Sequence, residues 1–296
     1  MKFKKVAKVL LSCLMAGALF TGCGGGDKPA DKPAEKPAAE KPAVAADVKL
    51  GMIAHLNVTE NKMDEILRAV QEDSGVKVTH YIPTYYDSLK LMQMGIESGS
   101  VDQISVYKSV GDYIIANNDK YEVVGGDMTI QNLSDNFCFA VRKNDTALKA
   151  DLDKVIKEMK SDGSLEKLAS EYIEKIDKKQ TPPKVEIPKT DGAQTIKVGV
   201  TGDLPPLDYV SEDGSPAGFN TALLAEIAKR SGKNIEVVDI DSGARSAALS
   251  SGQIDVVFWV VVPTLSKVPT DIDKPEGVEL SEPYFKDDVE HLQIKK

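Results

Sequence analysis

The side chains best suited to metal, acid–base or nucleophilic chemistry are few in this chain, and they are scattered. His55, His80 and His291 lie far apart and show none of the short spacings by which a metal site gathers its ligands. Cys13 and Cys23 stand near the amino terminus. Cys138 sits alone in the apolar run Phe137-Cys138-Phe139-Ala140-Val141, the setting of a buried, inert thiol. With one cysteine in the body, no internal disulfide can form. No motif sets an acid beside a base, so neither a catalytic residue, a metal nor a cofactor is implied.

The elements around these residues explain part of the pattern. The 296 residues carry 37 Lys+Arg against 46 Asp+Glu, a net charge of −9, which disfavours nucleic acid as a partner because phosphate binding needs a basic face. A hydrophobic content of 42% supports a packed core and excludes wholesale disorder. Lys2, Lys4, Lys5 and Lys8 precede the apolar stretch Val9 to Phe20, too short to span a bilayer comfortably. The segment Phe20-Thr21-Gly22-Cys23 that follows resembles a bacterial lipoprotein signal. That resemblance implies removal of residues 1–22, lipidation of Cys23 and a body anchored to a membrane outside the cytoplasm. An ordinary signal peptide cleaved nearby is the alternative. Removal of the leader takes the charge to −13.

Residues 23–47 read as a tether. A Lys-Pro-Ala unit recurs at Lys28, Lys32, Lys36 and Lys41, and its prolines forbid helix while its charges keep it solvated.

The body then shows a weak internal repeat. Lys49-Leu50-Gly51-Met52-Ile53 and Lys197-Val198-Gly199-Val200 both read as short buried strands. Asp87-Ser88 opens a helix that ends at Ser98-Gly99, and Asp241-Ser242 opens one that ends at Ser251-Gly252. An apolar strand follows each glycine. Met63, Ile66, Leu67 and Val70 fall at helical spacing, with Asn57 and Glu60 as a capping box. Val76 to Ile82 alternates as a strand. Leu148 to Met159 and Leu165 to Ile173 form two further helices, and Phe219 to Ala228 another. Ile254 to Val262 is a long central strand. Strands alternating with helices predict mainly parallel sheets.

Residues 195 to 285 resemble the first lobe of the family 3 extracellular solute-binding proteins, the amino-acid receptors of ABC importers. The residues that carry the match are Ile196 to Val200, Asp203-Leu204-Pro205-Pro206-Leu207, Asp213-Gly214, Gly218-Phe219-Asn220, Ala247 to Val257 and Ser281-Glu282-Pro283-Tyr284-Phe285. Residues 48 to 176 resemble the second lobe and terminal helices of that family, less strongly.

The resemblance implies an α/β, two-lobed, periplasmic-binding-protein-like fold of type 2, with mainly parallel sheets and hinge-crossing strands. The lobes stand in circularly permuted order: 48–176, then a Pro-rich connector over 177–194, then 195–296. Two degenerate, truncated copies are the competing reading. The implied function is capture of a small polar solute, an amino acid or related carboxylate, in a cleft between the lobes, and its delivery to an ABC permease. A dehydratase-like enzyme of the same fold, using His55, Asp203 and Lys267, and a sensor without a permease are the rivals.

The matched pocket positions depart from the family pattern. Leu204 and Ser242 stand where aromatics usually stack on the ligand. Lys267 falls near the position of the carboxylate-clamping Arg, and Lys lacks the planar guanidinium fork. Tyr107 falls where an acid for the α-amino group is expected. The replacement contacts expected are Trp259 for stacking, Arg245 for a carboxylate, and His55, Asn57 and Asp203 for hydrogen bonds. For Trp259 and Arg245 the alternatives are a core tryptophan and a solvated helix residue.

Overall fold

The computed structural model describes residues 47–74, 79–125, 133–266 and 268–296. The leader, Cys23, all of the tether before Asp47, and Lys267 lie outside the described residues.

One half of the body contains β1 (Val48–Ile53), α1 (Glu60–Ser74), β2 (Tyr81–Tyr86), α2 (Leu89–Glu97), β3 (Gln103–Tyr107), α3 (Lys108–Asn117) and β4 (Tyr121–Val123). β5 (Ser134–Arg142) leads out of it into α4 (Thr146–Ser161) and α5 (Ser164–Ala169), which a π-turn prolongs over Ser170–Glu174. The other half contains β6 (Thr195–Val200), β7 (Asp203–Leu204), β8 (Asp208–Val210), β9 (Pro216–Ala217), α6 (Gly218–Ser231), β10 (Asn234–Asp239), α7 (Arg245–Ser251), β11 (Val256–Pro263) and β12 (Val278–Leu280). β13 (Phe285–Ile294) leads back to the first half. Among the described residues, no helix is long and apolar enough to cross a membrane.

Both halves are wired alike. In the first, β1 pairs in parallel with β2 and β3, and β3 pairs antiparallel with the incoming β13, whose far edge holds β4. In the second, β6 pairs in parallel with β10 and β11, and β11 pairs antiparallel with the incoming β5, whose far edge holds β12. Each half therefore receives one strand from the direction of the other. β5 and β13 also pair with one another, from Phe137 opposite Phe285 to Ser134 opposite Asp288. This pair joins the two halves, and β7–β9 add a small antiparallel sheet.

Helix ends follow local chemistry. The Ser88 hydroxyl accepts from the Leu91 N–H at the start of α2. Gly99 and Gly252 take φ of 74° and 77° where α2 and α7 stop, a conformation that a side chain would strain. The core is continuous across the crossing strands, with Phe137, Phe139, Phe219 and Phe258 all fully buried. Each such ring contributes roughly 1.5–3 kcal/mol of transfer free energy.

Two local expectations need correction. The strand expected over Val76 to Ile82 begins later and runs to Tyr86, because β1 pairs Val48 with Tyr81 and Ile53 with Tyr86. Residues 75–78 lie outside the described residues. The helix expected to be capped at Asn57 begins two residues later, after Thr59, whose carbonyl accepts the N–H of Met63. Asn57 instead donates its backbone N–H to Asp273 Oδ1 and its amide to the Lys274 carbonyl, in the other half.

Candidate functional site

The loops that face one another between the halves are held by their own polar groups. Arg245 opens α7 and is fully buried. Its guanidinium donates to the carbonyls of Ser242 (3.0 Å), Trp259 (2.8 Å) and Ala54 (2.8 Å), the last of these in the opposite half. Burial lowers its pKa to about 10, with Asp273 and Asp208 opposing the shift, so it remains cationic at neutral pH. The expectation of a solvated helix residue is therefore corrected. Arg245 is a buried fork, and three of its five N–H donors are taken by backbone carbonyls.

Asp273 mirrors this from a loop after β11. Its Oδ1 accepts from the N–H groups of Asn57 (2.8 Å) and Val58 (3.2 Å), and its Oδ2 from Val261 (3.4 Å). His55 Nδ1 stands 3.5 Å from the same carboxylate. Asp203 closes a third bridge, accepting from the Leu89 N–H at the start of α2 at 2.5 Å. Burial raises its pKa to about 6. Ser242 completes the set through its backbone N–H to the Asp87 carbonyl, 3.1 Å away. The loop carrying Asp203 is itself clamped. Asp208, fully buried, accepts from the Thr201 N–H and hydroxyl, the Gly202 N–H and the Asn220 amide.

Behind these bridges lies a cavity of about 110 Å³ lined from both halves. Its wall is mostly apolar: Leu50, Met52, Met63 and Val106 on one side, Leu204 and Val261 on the other. Trp259 lines it too. The indole is almost wholly buried, its Nε1 has no hydrogen-bond partner, and the His55 ring meets it edge-on with centroids 5.8 Å apart. Asp135, at the start of β5, contributes a carboxylate that accepts from Tyr107 Oη at 2.8 Å. Burial raises the pKa of both groups.

The structure thus brings together His55, Tyr107, Leu204 and Trp259 on the cavity wall. Asp203, Ser242, Arg245 and Asn57 form the bridges around it. The Trp259 alternatives merge, since the ring is both core and cavity wall. Sequence reasoning passed over Asp273, Asp135 and Asp87. Asp273 lies in a loop with no periodic signal. Asp135 precedes the apolar run of β5, where it reads as a solvated strand end.

The model of the bacterial extracellular solute-binding proteins, family 3, matches residues 62–175 and 196–289. The chain is 29% identical over 105 residues to the arginine-binding extracellular protein ArtP of Bacillus subtilis, which covers 36% of this chain and 37% of that protein. It is 29% identical over 101 residues to a probable histidine-binding protein of Campylobacter jejuni, covering 34% of this chain and 36% of that one. The chain thus matches little more than a third of the length of these relatives. Superposition on the GluR0 ligand-binding core of Nostoc punctiforme in complex with L-glutamate covers 84% of this chain and 85% of that one, at 10% identity and a TM-score of 0.35. With matched segments spanning more than half of its length and a mixed α/β body in two halves, the chain belongs to the family 3 bacterial extracellular solute-binding proteins.

Proposed function

We propose that this protein is a membrane-anchored receptor that captures a small solute between its two lobes and delivers it to an ABC importer. The observation that carries the reading is the cavity lined from both halves and closed by bridges between them, at Arg245–Ala54, Asn57–Asp273 and Leu89–Asp203. Halves joined by a pair of crossing strands can open and close as bodies, and closure over a solute changes the face offered to a permease. The names of the curated relatives support an amino acid or related carboxylate as the cargo class.

The anchor is the lipid on Cys23, after loss of residues 1–22, with residues 23–47 as the spacer. Segments 48–176 and 195–296 are the second-lobe-like and first-lobe-like parts, in permuted order across the connector 177–194. β5 and β13 are the strands that cross between these parts, each completing the sheet of the half it enters.

Thermal unfolding of the body from Asp47 onward, titrated with amino acids and small carboxylates, tests the receptor. Cargo at a hundred times its Kd adds about 2.7 kcal/mol. A flat response to every solute removes the reading. Cys23→Ser tests the anchor, by moving the protein from the membrane fraction to the medium or periplasm.

A further inference from the structure

Resting on the receptor reading, we infer that the cargo is a small ammonium compound with an apolar body, its ammonium facing Asp135 and its body seated among Met52, Met63, Val106 and Val261. Three observations lead there. The first is that, among the described residues, Arg245, Asp273 and one oxygen of Asp203 are engaged by protein. Arg245 holds three carbonyls, Asp273 holds the Asn57 and Val58 N–H groups, and Asp203 holds the Leu89 N–H. A cargo with a charged side chain would have to displace these bridges.

The second is that Asp135 is the one carboxylate lining the cavity among the described residues. It receives a hydrogen bond from Tyr107 Oη, and no Lys or Arg among the described residues lines the wall beside it. His55 and His291 are the basic side chains on that wall among the described residues, neither of them a permanent cation; a buried carboxylate without a full counter-charge is costly, and an ammonium supplies it. The third is the wall itself, whose aliphatic and thioether side chains suit one branched chain or a single ring. The volume of about 110 Å³ is on the scale of the roughly 150 Å³ engineered void that admits benzene.

The ammonium has two sources, an apolar amino acid or an amine without a carboxylate. Trp259 distinguishes them. Its buried, unpartnered Nε1 on the cavity wall is a donor that a cargo carboxylate would satisfy and an amine would not.

The test uses the full chain in mild detergent, titrated calorimetrically with leucine, phenylalanine, isoamylamine, phenethylamine, isoamyl alcohol, arginine and histidine. Saturable binding of the apolar ammonium compounds is expected, with the alcohol at least tenfold weaker. Asp135→Asn, which keeps an acceptor for Tyr107, should weaken that binding at least tenfold. Val106→Phe should abolish it by filling the wall, with the melting temperature reporting that the variant is folded. Trp259→Phe should weaken leucine about fivefold and leave isoamylamine unchanged if the carboxylate is read. Binding of arginine or histidine without the apolar compounds overturns the inference and leaves the receptor standing. Apolar binding that survives Asp135→Asn and favours the alcohol equally also overturns it. No binding by any solute overturns both.

Discussion

The Arg245 guanidinium lies 3.8 Å from the centroid of the Trp259 ring while donating to the Trp259 backbone carbonyl at 2.8 Å. One residue of α7 is thereby fastened to the face and the backbone of one residue of β11, and its remaining arm reaches Ala54 in the other half. A buried cation over an indole gains from the ring quadrupole as well as from its hydrogen bonds.

Truncating that fork should cost more than its charge. Arg245→Met leaves the Ser242, Trp259 and Ala54 carbonyls without their donor, and we expect a loss of about 2–4 kcal/mol in denaturant unfolding. Arg245→Lys retains the cation but not the planar geometry and should recover only part of it. Equal stability of Arg245→Met and the parent would show that these bonds contribute nothing net.

Asp273 should hold the lobes together rather than merely fill space. In Asp273→Ala the Asn57 and Val58 N–H groups lose their acceptor. Hydrogen exchange at those two amides should accelerate by at least tenfold, while the Lys49 N–H, which donates to Asp102 within one half, stays at its parental rate. Uniform acceleration at all three sites would indicate global destabilisation instead.

A pH dependence follows from Glu290 on β13. Burial, opposed by Lys108 and reinforced by Asp112 and Asp287, raises its carboxyl to about 7. Its Oε1 is buried without a partner. A carboxyl raised on folding binds its proton more tightly in the native state. Its favourable contribution is complete below the unfolded pKa of roughly 4.5 and is lost as pH rises through about 7. Asp203, raised to about 6, acts in the same direction over a narrower window. Glu290→Gln should therefore leave stability near pH 5 almost unchanged and add about 1–2 kcal/mol at pH 8, a figure discounted for its partial solvent contact. Parallel stability curves for the two proteins from pH 5 to 8 would exclude this assignment.

Asp208 should be needed for the loop that presents Asp203 and Leu204. It collects four donors in a fully buried site. Asp208→Ala strands them, and we expect about 2–4 kcal/mol of destabilisation. Asp208→Asn should be milder, since one oxygen still accepts.

The thiol of Cys138 should resist alkylation in the native state. Burial raises it to about 12, so the thiolate is scarce at neutral pH. Labelling by iodoacetamide should follow unfolding, and rapid native labelling would contradict its burial.

Much of the framework was determined by the sequence alone, because it rests on short-range physics. The α2 and α7 boundaries follow from Ser88, Gly99 and Gly252, whose capping and left-handed backbone are local properties. The α4 and α6 faces follow from apolar spacing, and the burial of Cys138 from its neighbours in β5. The family was legible for the same reason, in motifs such as Asp203-Leu204-Pro205-Pro206 and Ser281 to Phe285.

What only the tertiary structure decided are the partners of charged groups far apart in the chain. Arg245 and Ala54, Asn57 and Asp273, and Leu89 and Asp203 are each separated by more than a hundred residues. A lone Arg or Asp in a loop carries the same local signal whether it is solvated or buried. Its role is set by which backbone groups the crossing strands β5 and β13 bring to it. The same holds for the β2 register, which pairing with β1 imposes against the local alternation. Contact between the halves turns those isolated charges into bridges, and the wall of the cavity that both halves line is mostly apolar.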